Sequence, residues 1–152
     1  MPPIFDGPDA TRPQIPVALA PLIAGLDQPT DIQFPPGHPT VAFVAEKEGT
    51  VRAFSIASGK GNELSTILSL GSPSGSEQGV LGMAFHPSFG PSGGRLYVHH
   101  TVETPEGNAG RISVTPLTVD GSTWTAGALS SVLELDQPYP CLLYTSPSPR
   151  DS

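Results

Sequence analysis

The sequence is poor in cysteine and in charge. Cys141 is the single cysteine among 152 residues, so no disulfide can form within the chain. Charged residues make up 14%, with 7 basic against 14 acidic side chains and a net charge of -7. No basic stripe with interleaved aromatic residues is present, which argues against nucleic-acid binding. No apolar run approaches the length of a membrane span.

The first residues lack the charged and apolar regions of a signal peptide. The chain is therefore either cytosolic or lacks its natural N-terminus, and the sequence leaves the compartment open.

Glycine and proline, in contrast, are abundant. The chain has 17 Gly and 19 Pro, nearly a quarter of its residues, and is 37% hydrophobic. Proline breaks helix interiors but is tolerated in turns and at strand edges. The length suffices for one domain with a core. This composition predicts an all-β domain built from many short strands.

The most informative stretch runs from Gly75 to Phe89. A polar, glycine-spaced loop leads into a short apolar segment, which His86 and Pro87 end. Gly79 and Gly82 present no side chain there. The pattern predicts a buried strand whose backbone is closely approached by a neighbouring strand or by a ligand.

Alternating apolar and polar residues between turns predict further strands along the chain. Residues 63–70 also fit helical spacing, but a strand is preferred there, and 104–110 is predicted to be a polar loop. Pro116 marks its strand as an outer or edge one. The predicted strands are 15–26 (an edge strand), 29–36, 40–46, 50–56, 63–70, 80–85, 95–102, 111–119 and 132–135.

The strand pattern repeats. Ile32, Phe34 and Pro36 correspond to Met83, Phe85 and Pro87, 51 positions later; Phe43 and Val44 correspond to Tyr97 and Val98; and Val51 corresponds to Ile112. A four-strand unit repeating at this interval, with insertions confined to loops, is typical of a β-propeller blade. Two units cannot close a ring, so the pattern predicts an incomplete propeller.

Several motifs resemble the soluble pyrroloquinoline-quinone (PQQ)-dependent glucose/sorbosone dehydrogenases, over residues from about 22 to 140. The segment from Glu77 to Pro87 is the most specific, because its glycines and its His-Pro stop recur as a unit. The matching motifs are Gln28-Pro-Thr-Asp-Ile-Gln-Phe-Pro-Pro36, Phe43-Val-Ala-Glu-Lys-Glu-Gly-Thr-Val-Arg-Ala-Phe54, Glu77-Gln-Gly-Val-Leu-Gly-Met-Ala-Phe-His-Pro87, Arg95-Leu-Tyr-Val98 and Leu133-Glu-Leu-Asp-Gln-Pro-Tyr139.

The resemblance implies a six-bladed β-propeller, of which about two blades are present, that binds PQQ and calcium at the mouth of its channel. In that family the segment matching Asp136–Tyr139 precedes an Asn-His-x-Gly-Gly motif whose histidine is the catalytic base. Here Cys141–Asp151 resembles a translated sequencing adapter instead. We therefore expect an irregular lead-in over 1–15, a partial propeller over 16–140 and a non-native tail over 141–152, with the catalytic residues and calcium ligands missing.

Glu77 and Gln78 are the candidate cofactor-binding residues. They lie in a loop before a buried strand, where propeller sites are built, and the family has an amide side chain in this region. The alternative is a solvated loop or a turn that satisfies its own backbone. No residue of the chain is predicted to bind a metal. His99 and His100 are neighbours on a strand, point to opposite faces and cannot share one.

Other polar residues are assigned structural roles. His86 is interpreted as a turn residue whose ring satisfies nearby backbone, and His38 as exposed in a proline-rich turn. Glu46 and Lys47 are interpreted as a surface pair. The sequence does not decide whether Arg52 faces an anion or a neighbouring blade. Asp31 and Asp136 are expected to turn the backbone by side-chain hydrogen bonds.

Three functions remain open. The first is part of a quinone-dependent sugar dehydrogenase, inactive by itself, with a sugar or other small molecule as substrate. The second is a non-catalytic binding propeller of the Hedgehog-interacting-protein kind. A lactonase-like propeller would need inward-facing metal carboxylates, which the pattern does not show. By resemblance, relatives act outside the cytoplasm.

Overall fold

In a computed structural model, residues 18–72 and 77–137 are described, and they form strands joined by turns, without a helix. No helix in these two ranges could therefore span a membrane. The prediction of an all-β chain is confirmed. The strands are β1 (Pro29–Gln33), β2 (Val41–Glu46), β3 (Thr50–Ser55), β4 (Asn62–Ser69), β5 (Val80–Phe85), β6 (Gly93–Thr104), β7 (Gly107–Asp120), β8 (Thr123–Ala126) and β9 (Ser130–Gln137).

The strands form two antiparallel sheets, each following chain order. The first sheet is β1-β2-β3-β4 and the second is β5-β6-β7-β8, with β9 also paired to β7. Short turns connect most neighbours, as expected where glycine and polar residues punctuate alternating strands. Over the described residues, the two sheets do not close into a ring.

The backbone repeats between the two sheets in fine detail. Gln28 and Gly79, 51 positions apart, both have positive φ, at 43° and 129°. The register of β1 with β2 shifts between Pro29 and Asp31, and that of β5 with β6 shifts between the matching residues Val80 and Gly82. The repeat inferred from the sequence is therefore present in the hydrogen-bonding pattern as well as in the apolar positions.

The sheets pack face to face in the same orientation. Strand β1 contacts β5, and β4 contacts β8. Between them, the ring of Phe43 meets those of Phe85 and Trp124 edge-on, each at a centroid distance of 5.1 Å. Burial of such aromatic side chains contributes about 2–3 kcal/mol each to folding. The buried core comprises Phe43, Ala45, Val51, Ala53, Ile67, Leu68, Val80, Met83, Phe89, Leu96, Val98, Leu117 and Trp124.

Equivalent side chains of the two repeats differ in exposure. Met83 lies in the core against the first sheet, and Phe85 packs on Phe43. Their counterparts Ile32 and Phe34 are 45% and 48% exposed. The face of the second sheet that carries Met83 is thus covered by the first sheet. The matching face of the first sheet is covered by residues 18–26, and Ile32 and Phe34 stay exposed at its β1 edge.

The edge strand predicted over 15–26 is wrong where the structure describes it. Residues 18–26 form no strand. Pro21 lacks an amide donor, and the segment is held instead by isolated hydrogen bonds, such as that from the Gly61 N–H to the Leu22 carbonyl (2.6 Å). It lies over the outer face of the first sheet, where Leu22 and Leu26 border a groove beside Ile32.

Two predictions about the second sheet are also wrong. Most of the predicted loop 104–110 belongs to β6 and β7, and only residues 105 and 106 turn the chain. Strand β7 is an interior strand rather than an edge. Pro116 is tolerated there because it lies between the part of β7 paired with β9 and the part paired with β8. The predicted strand over 63–70 is confirmed as β4.

Candidate functional site

One edge of the stacked sheets brings together the candidate cofactor-binding loop and the β2–β3 turn. Here β5 begins directly against the turn that follows β2. We call this region the loop edge and define it by Gln28, the turn Lys47–Gly49, the segment Glu77–Val80 and Thr101. Because the sheets stack in one orientation, the same end of both repeats faces this edge.

Gly79 is the backbone junction of the loop edge. Its N–H donates to the Thr101 hydroxyl (3.2 Å), and its carbonyl accepts the Thr101 N–H (2.9 Å). The next residue, Val80, donates its N–H to the Lys47 carbonyl (2.9 Å). A Cβ added at Gly79 would lie 2.1 Å from that carbonyl oxygen, so only glycine fits. The predicted close approach to this backbone is therefore confirmed at Gly79, and the approaching group is a neighbouring turn.

At Gly82 the approach is looser. A Cβ there would meet only the Asp31 carboxylate, at 3.8 Å, which is ordinary contact.

Gln78 is buried at this junction with part of its amide unused. The residue is 5% exposed, and its Nε2 has no hydrogen-bond partner within residues 18–72 and 77–137. A buried amide donor without an acceptor costs about 1–3 kcal/mol. Such a group is a candidate for contact with a ligand oxygen. Its neighbour Glu77 is exposed. The two predicted cofactor-binding residues therefore differ, and only Gln78 is enclosed.

Glu46 is the second buried polar group near the loop edge. Its carboxylate accepts from the Asp27 N–H (2.8 Å), the Thr50 hydroxyl (2.9 Å) and Arg52 Nη1 (2.9 Å). Burial raises the pKa of Glu46, but these three donors outweigh burial and leave its pKa below the usual value. The predicted surface pair of Glu46 with Lys47 is wrong, because Glu46 is 5% exposed and its ion pair is with Arg52.

Arg52 joins three parts of the first sheet. Its Nη2 contacts Glu63 at 2.6 Å, its Nη1 contacts Glu46 at 2.9 Å, and Nη1 also donates to the Gly25 carbonyl (3.1 Å). The hydrogen bond with Glu63 raises the pKa of the guanidinium further and lowers the pKa of the Glu63 carboxyl. Arg52 therefore faces acidic groups of its own sheet, which answers the question that the sequence left open.

The histidines take separate positions. His86 Nδ1 accepts the Ser88 N–H (3.0 Å), so its predicted turn role is confirmed. His99 is exposed and His100 is buried, as expected for opposite faces of β6. His100 Nε2 contacts the Ser113 hydroxyl at 2.9 Å, and burial lowers the pKa of its imidazole. The exposed position predicted for His38 is wrong, because its ring lies 4.9 Å from that of Trp124 and is partly buried.

Asp31 connects the two sheets. It lies within β1 rather than in a turn, and its Oδ2 accepts the Met83 N–H (2.8 Å). Gln33 Nε2 donates to the same carboxylate (3.2 Å). The predicted turn role is therefore wrong for Asp31. Asp136 likewise lies within a strand, β9, opposite Ala109.

Several residues of this arrangement have no signal in the sequence. Thr101 lies within a run that has the pattern of an ordinary strand, and Trp124 lies in a strand of four residues that was not predicted. Glu46 and Arg52 flank the β2–β3 turn, so their opposite charges across a predicted hairpin were the available clue. The expected catalytic histidine motif, the residues from 138 onward and the predicted tail 141–152 lie outside the described residues.

Metal ligands do not converge in the described ranges. Within residues 18–72 and 77–137, no three His, Cys, Asp or Glu side chains lie close enough to hold an ion. Glu46, next to the loop edge, is paired with Arg52.

No protein-family model matches the chain, and no curated protein matches it significantly.

Proposed function

We propose that the chain supplies two adjacent blades of a β-propeller similar to the quinone-dependent sugar dehydrogenases. The support is the repeated four-stranded sheet with one orientation. β1 and β5 contact each other at one side of the stack, and β4 and β8 at the other. Equivalent strands of the two repeats therefore meet, as they do between neighbouring propeller blades. The loop edge then forms part of the rim of the channel.

The proposed ligand contact is the Gln78 amide. The buried, unpartnered state of this amide is the observation that carries the proposed function. Its Nε2 is buried and unpartnered among the described residues, so a ligand oxygen placed there would satisfy it. PQQ presents carboxylate and quinone oxygens, which accept hydrogen bonds, so the donor fits this group. A bound quinone would supply the hydride acceptor for oxidation of a sugar hydroxyl. Gln78 would hold and orient an oxygen of the cofactor, and Gly79 fixes the backbone beside it.

Calcium does not fit the described residues. No three candidate ligands converge there. His100 contacts Ser113, and His86 lies at the opposite end of β5, so neither is assigned as the base. Bound PQQ with added calcium is therefore expected to give no glucose-dependent dye reduction with this chain.

A non-catalytic binding propeller is the second candidate function. The observation that favours it concerns Glu46, a buried carboxylate next to the loop edge. This carboxylate accepts hydrogen bonds from three donors. A carboxylate held in this way is a poor proton acceptor. In a binding propeller the Gln78 amide would contact a sugar or peptide oxygen directly, without a quinone.

Equilibrium dialysis of the full chain with PQQ tests the proposal. The wild-type chain is expected to bind PQQ, and Gln78→Met is expected to weaken binding by about tenfold, the value of one charge-assisted hydrogen bond. Met keeps the size of the side chain and removes the unpartnered donor. The unfolding free energy of Gln78→Met should therefore equal or exceed that of the wild type.

Asn62→Ala is the matched control, because Asn62 carries an exposed amide at the opposite end of the first sheet. It should bind PQQ as the wild type does. Absence of PQQ binding, or binding that Gln78→Met leaves unchanged, would contradict the quinone proposal. Sugar binding that needs no quinone but is lost in Gln78→Met would favour the binding propeller.

A further inference from the structure

The first sheet carries a polar pair at its end next to the loop edge. Glu46, at the end of β2, contacts Arg52 of β3 at 2.9 Å. The two residues share a face of the sheet, because Val44, two positions before Glu46, pairs with Arg52 in the register. Glu46 also accepts the Asp27 N–H, and Arg52 donates to the Gly25 carbonyl. The charged pair therefore holds the segment that covers this face.

The second sheet carries a different polar pair at the matching place. His100, on β6, lies two positions after Val98, which pairs with Ser113 of β7. This is the geometry of the first pair, so His100 takes the place of Glu46 and Ser113 takes the place of Arg52. The His100 Nε2 lies 2.9 Å from the Ser113 hydroxyl, and His100 is 4% exposed. Where the first repeat has two charges, the second has a side chain that can titrate near neutral pH.

His100 is joined to the loop edge through its neighbours. It pairs with Val80 of β5 in the register. The next residue, Thr101, donates its N–H to the Gly79 carbonyl, and its hydroxyl accepts the Gly79 N–H. Val80 in turn donates its N–H to the Lys47 carbonyl of the first sheet (2.9 Å). A movement of His100 would therefore displace the residues whose hydrogen bonds hold the loop edge together.

The surroundings of His100 favour the neutral ring. Burial lowers the pKa of its imidazole below the ordinary value of 6.5, and Arg111 and His99 lower it further, against a hydrogen bond with the Thr101 backbone. Arg111 is itself paired with Glu134 of β9. Strand β5 has no titratable side chain. The other charged groups on the elements around His100 are Lys47 and Glu48 in the β2–β3 turn, Glu77 before β5, Asp31 on β1, Glu103 on β6, and Glu46 and Arg52 on the far face of the first sheet.

We propose that His100 is a pH-sensitive switch, in which protonation of the imidazole releases the start of β5 from β6 and opens the loop edge. The neutral ring contacts Ser113 and stays buried. A protonated ring would place a second positive charge beside Arg111 in a buried site, and an unpaired buried charge is strongly unfavourable. The ring would therefore leave its site, and the bonds between Thr101 and Gly79 would break with it. This inference does not depend on quinone or sugar binding.

The direction of the pKa shift defines the pH at which the switch acts. Because the pKa of His100 is lowered in the folded chain, the closed loop edge is favoured above 6.5, and this preference is lost as the pH falls below that value. The carboxyls of Glu46 and Glu63 titrate in a lower range, because their pKa values lie below the ordinary value of 4.5. The first sheet should therefore keep its charged pair at a pH at which the second has lost its own.

Amide hydrogen exchange of the full chain, followed by NMR, tests the switch. The protection factor of the Thr101 amide, which is bonded to the Gly79 carbonyl, should fall by at least about tenfold between pH 7 and about pH 5. The Ile56 amide is the internal control, because it donates to the Thr40 carbonyl (2.8 Å) at the opposite end of the first sheet. Its protection factor should stay the same.

Two variants assign the change to one imidazole. His100→Gln keeps a hydrogen-bonding group beside Ser113 but cannot titrate, so Thr101 should be equally protected at both pH values. His99→Gln is the matched control, because His99 is the adjacent residue and lies exposed on the opposite face of β6. It should show the same fall in Thr101 protection as the wild type.

Three results would overturn the proposal. Unchanged Thr101 protection in the wild type would show that there is no switch, and a fall that persists in His100→Gln would assign it to another group. An equal fall at Ile56 would mean that the whole chain unfolds. If His100→Gln does not fold, the His100 ring resonances of the wild type decide. They should shift with pH together with the loss of Thr101 protection, and a ring that titrates while Thr101 stays protected would exclude the switch.

Discussion

At the loop edge, two buried polar side chains differ in how their hydrogen-bonding capacity is used. The Glu46 carboxylate receives three donors, including the Arg52 guanidinium. The Gln78 amide nitrogen has no acceptor among the described residues, although Gln78 is equally buried at 5% exposure. A satisfied carboxylate stabilises the fold, whereas an unsatisfied amide is retained at a cost. For this reason we assign Glu46 to stability and Gln78 to binding.

Replacement of Glu46 by Gln tests the stabilising role. Gln keeps the shape but loses the charge, so we expect the unfolding free energy at pH 7 to fall by about 1–2 kcal/mol. The pKa of Glu46 is lower in the folded chain than its ordinary value of 4.5, so its contribution is present above that value. The contribution is lost as the pH falls through the lowered pKa. The difference between wild type and Glu46→Gln should therefore shrink at acidic pH, in urea unfolding measured at several pH values.

Glu134→Gln provides the control for this series. Glu134 pairs with Arg111, but both side chains are about one-third exposed, so its loss should cost less than about 1 kcal/mol. A Glu46→Gln deficit that is the same at acidic and neutral pH would mean that the charge of Glu46 does not stabilise the fold.

At the scale of elements, most strands could be predicted from the sequence. Alternation of apolar and polar residues located β1 and β3, and short apolar runs located β2 and β5. It missed β8, where four residues carry one buried side chain, Trp124. Pro116 led to the wrong prediction that β7 is an edge strand. Its position between the segments of β7 that pair with β8 and with β9 depends on where those two strands pair. Such pairing is decided by tertiary contacts and leaves no local pattern.

The candidate site was predictable only in part. The glycine-spaced loop before β5 indicated a close approach, which the structure places at Gly79. The burial of Gln78 and the exposure of Glu77 were not visible, because both residues lie in the same polar run. The role of Asp31 could not be predicted. The hydrogen bond that its carboxylate accepts from Met83 joins two sheets, and such a bond has no signature in the sequence.

Gly79→Ala tests the junction that positions Gln78. Gly79 has a φ of 129°, and an added Cβ would meet the Lys47 carbonyl at 2.1 Å. We expect a loss of at least about 2 kcal/mol in unfolding free energy, because backbone strain and a steric clash act together. Chemical denaturation gives the value.

Gly121→Ala is its matched control. Gly121 also has positive φ, at 60°, but no atom lies within 4 Å of its added Cβ, so the loss should be about 1 kcal/mol. Equal losses of unfolding free energy for the two variants would show that the Lys47 carbonyl does not restrict the side chain at position 79.

At the scale of the whole molecule, the loop edge and the proposed function both depend on the repeat of the two sheets and on the orientation in which the sheets stack. The repeat and this orientation place the β2–β3 turn beside the start of β5 and bury Gln78 there. The sequence predicted the repeat from apolar positions alone. It could not predict which face of each sheet is covered, because that depends on the partner sheet rather than on the period of the strand.

Nuclear Overhauser contacts between aromatic rings measure the stacking orientation directly. In a dilute sample, Phe85 ring protons should show contacts with those of Phe43, at a centroid distance of 5.1 Å, and none with those of Phe34. Phe43 should also show contacts with Trp124. Contacts of Phe85 with Phe34 in place of Phe43 would mean that the first sheet presents its other face to the second. The loop edge and the proposed function would then be contradicted together.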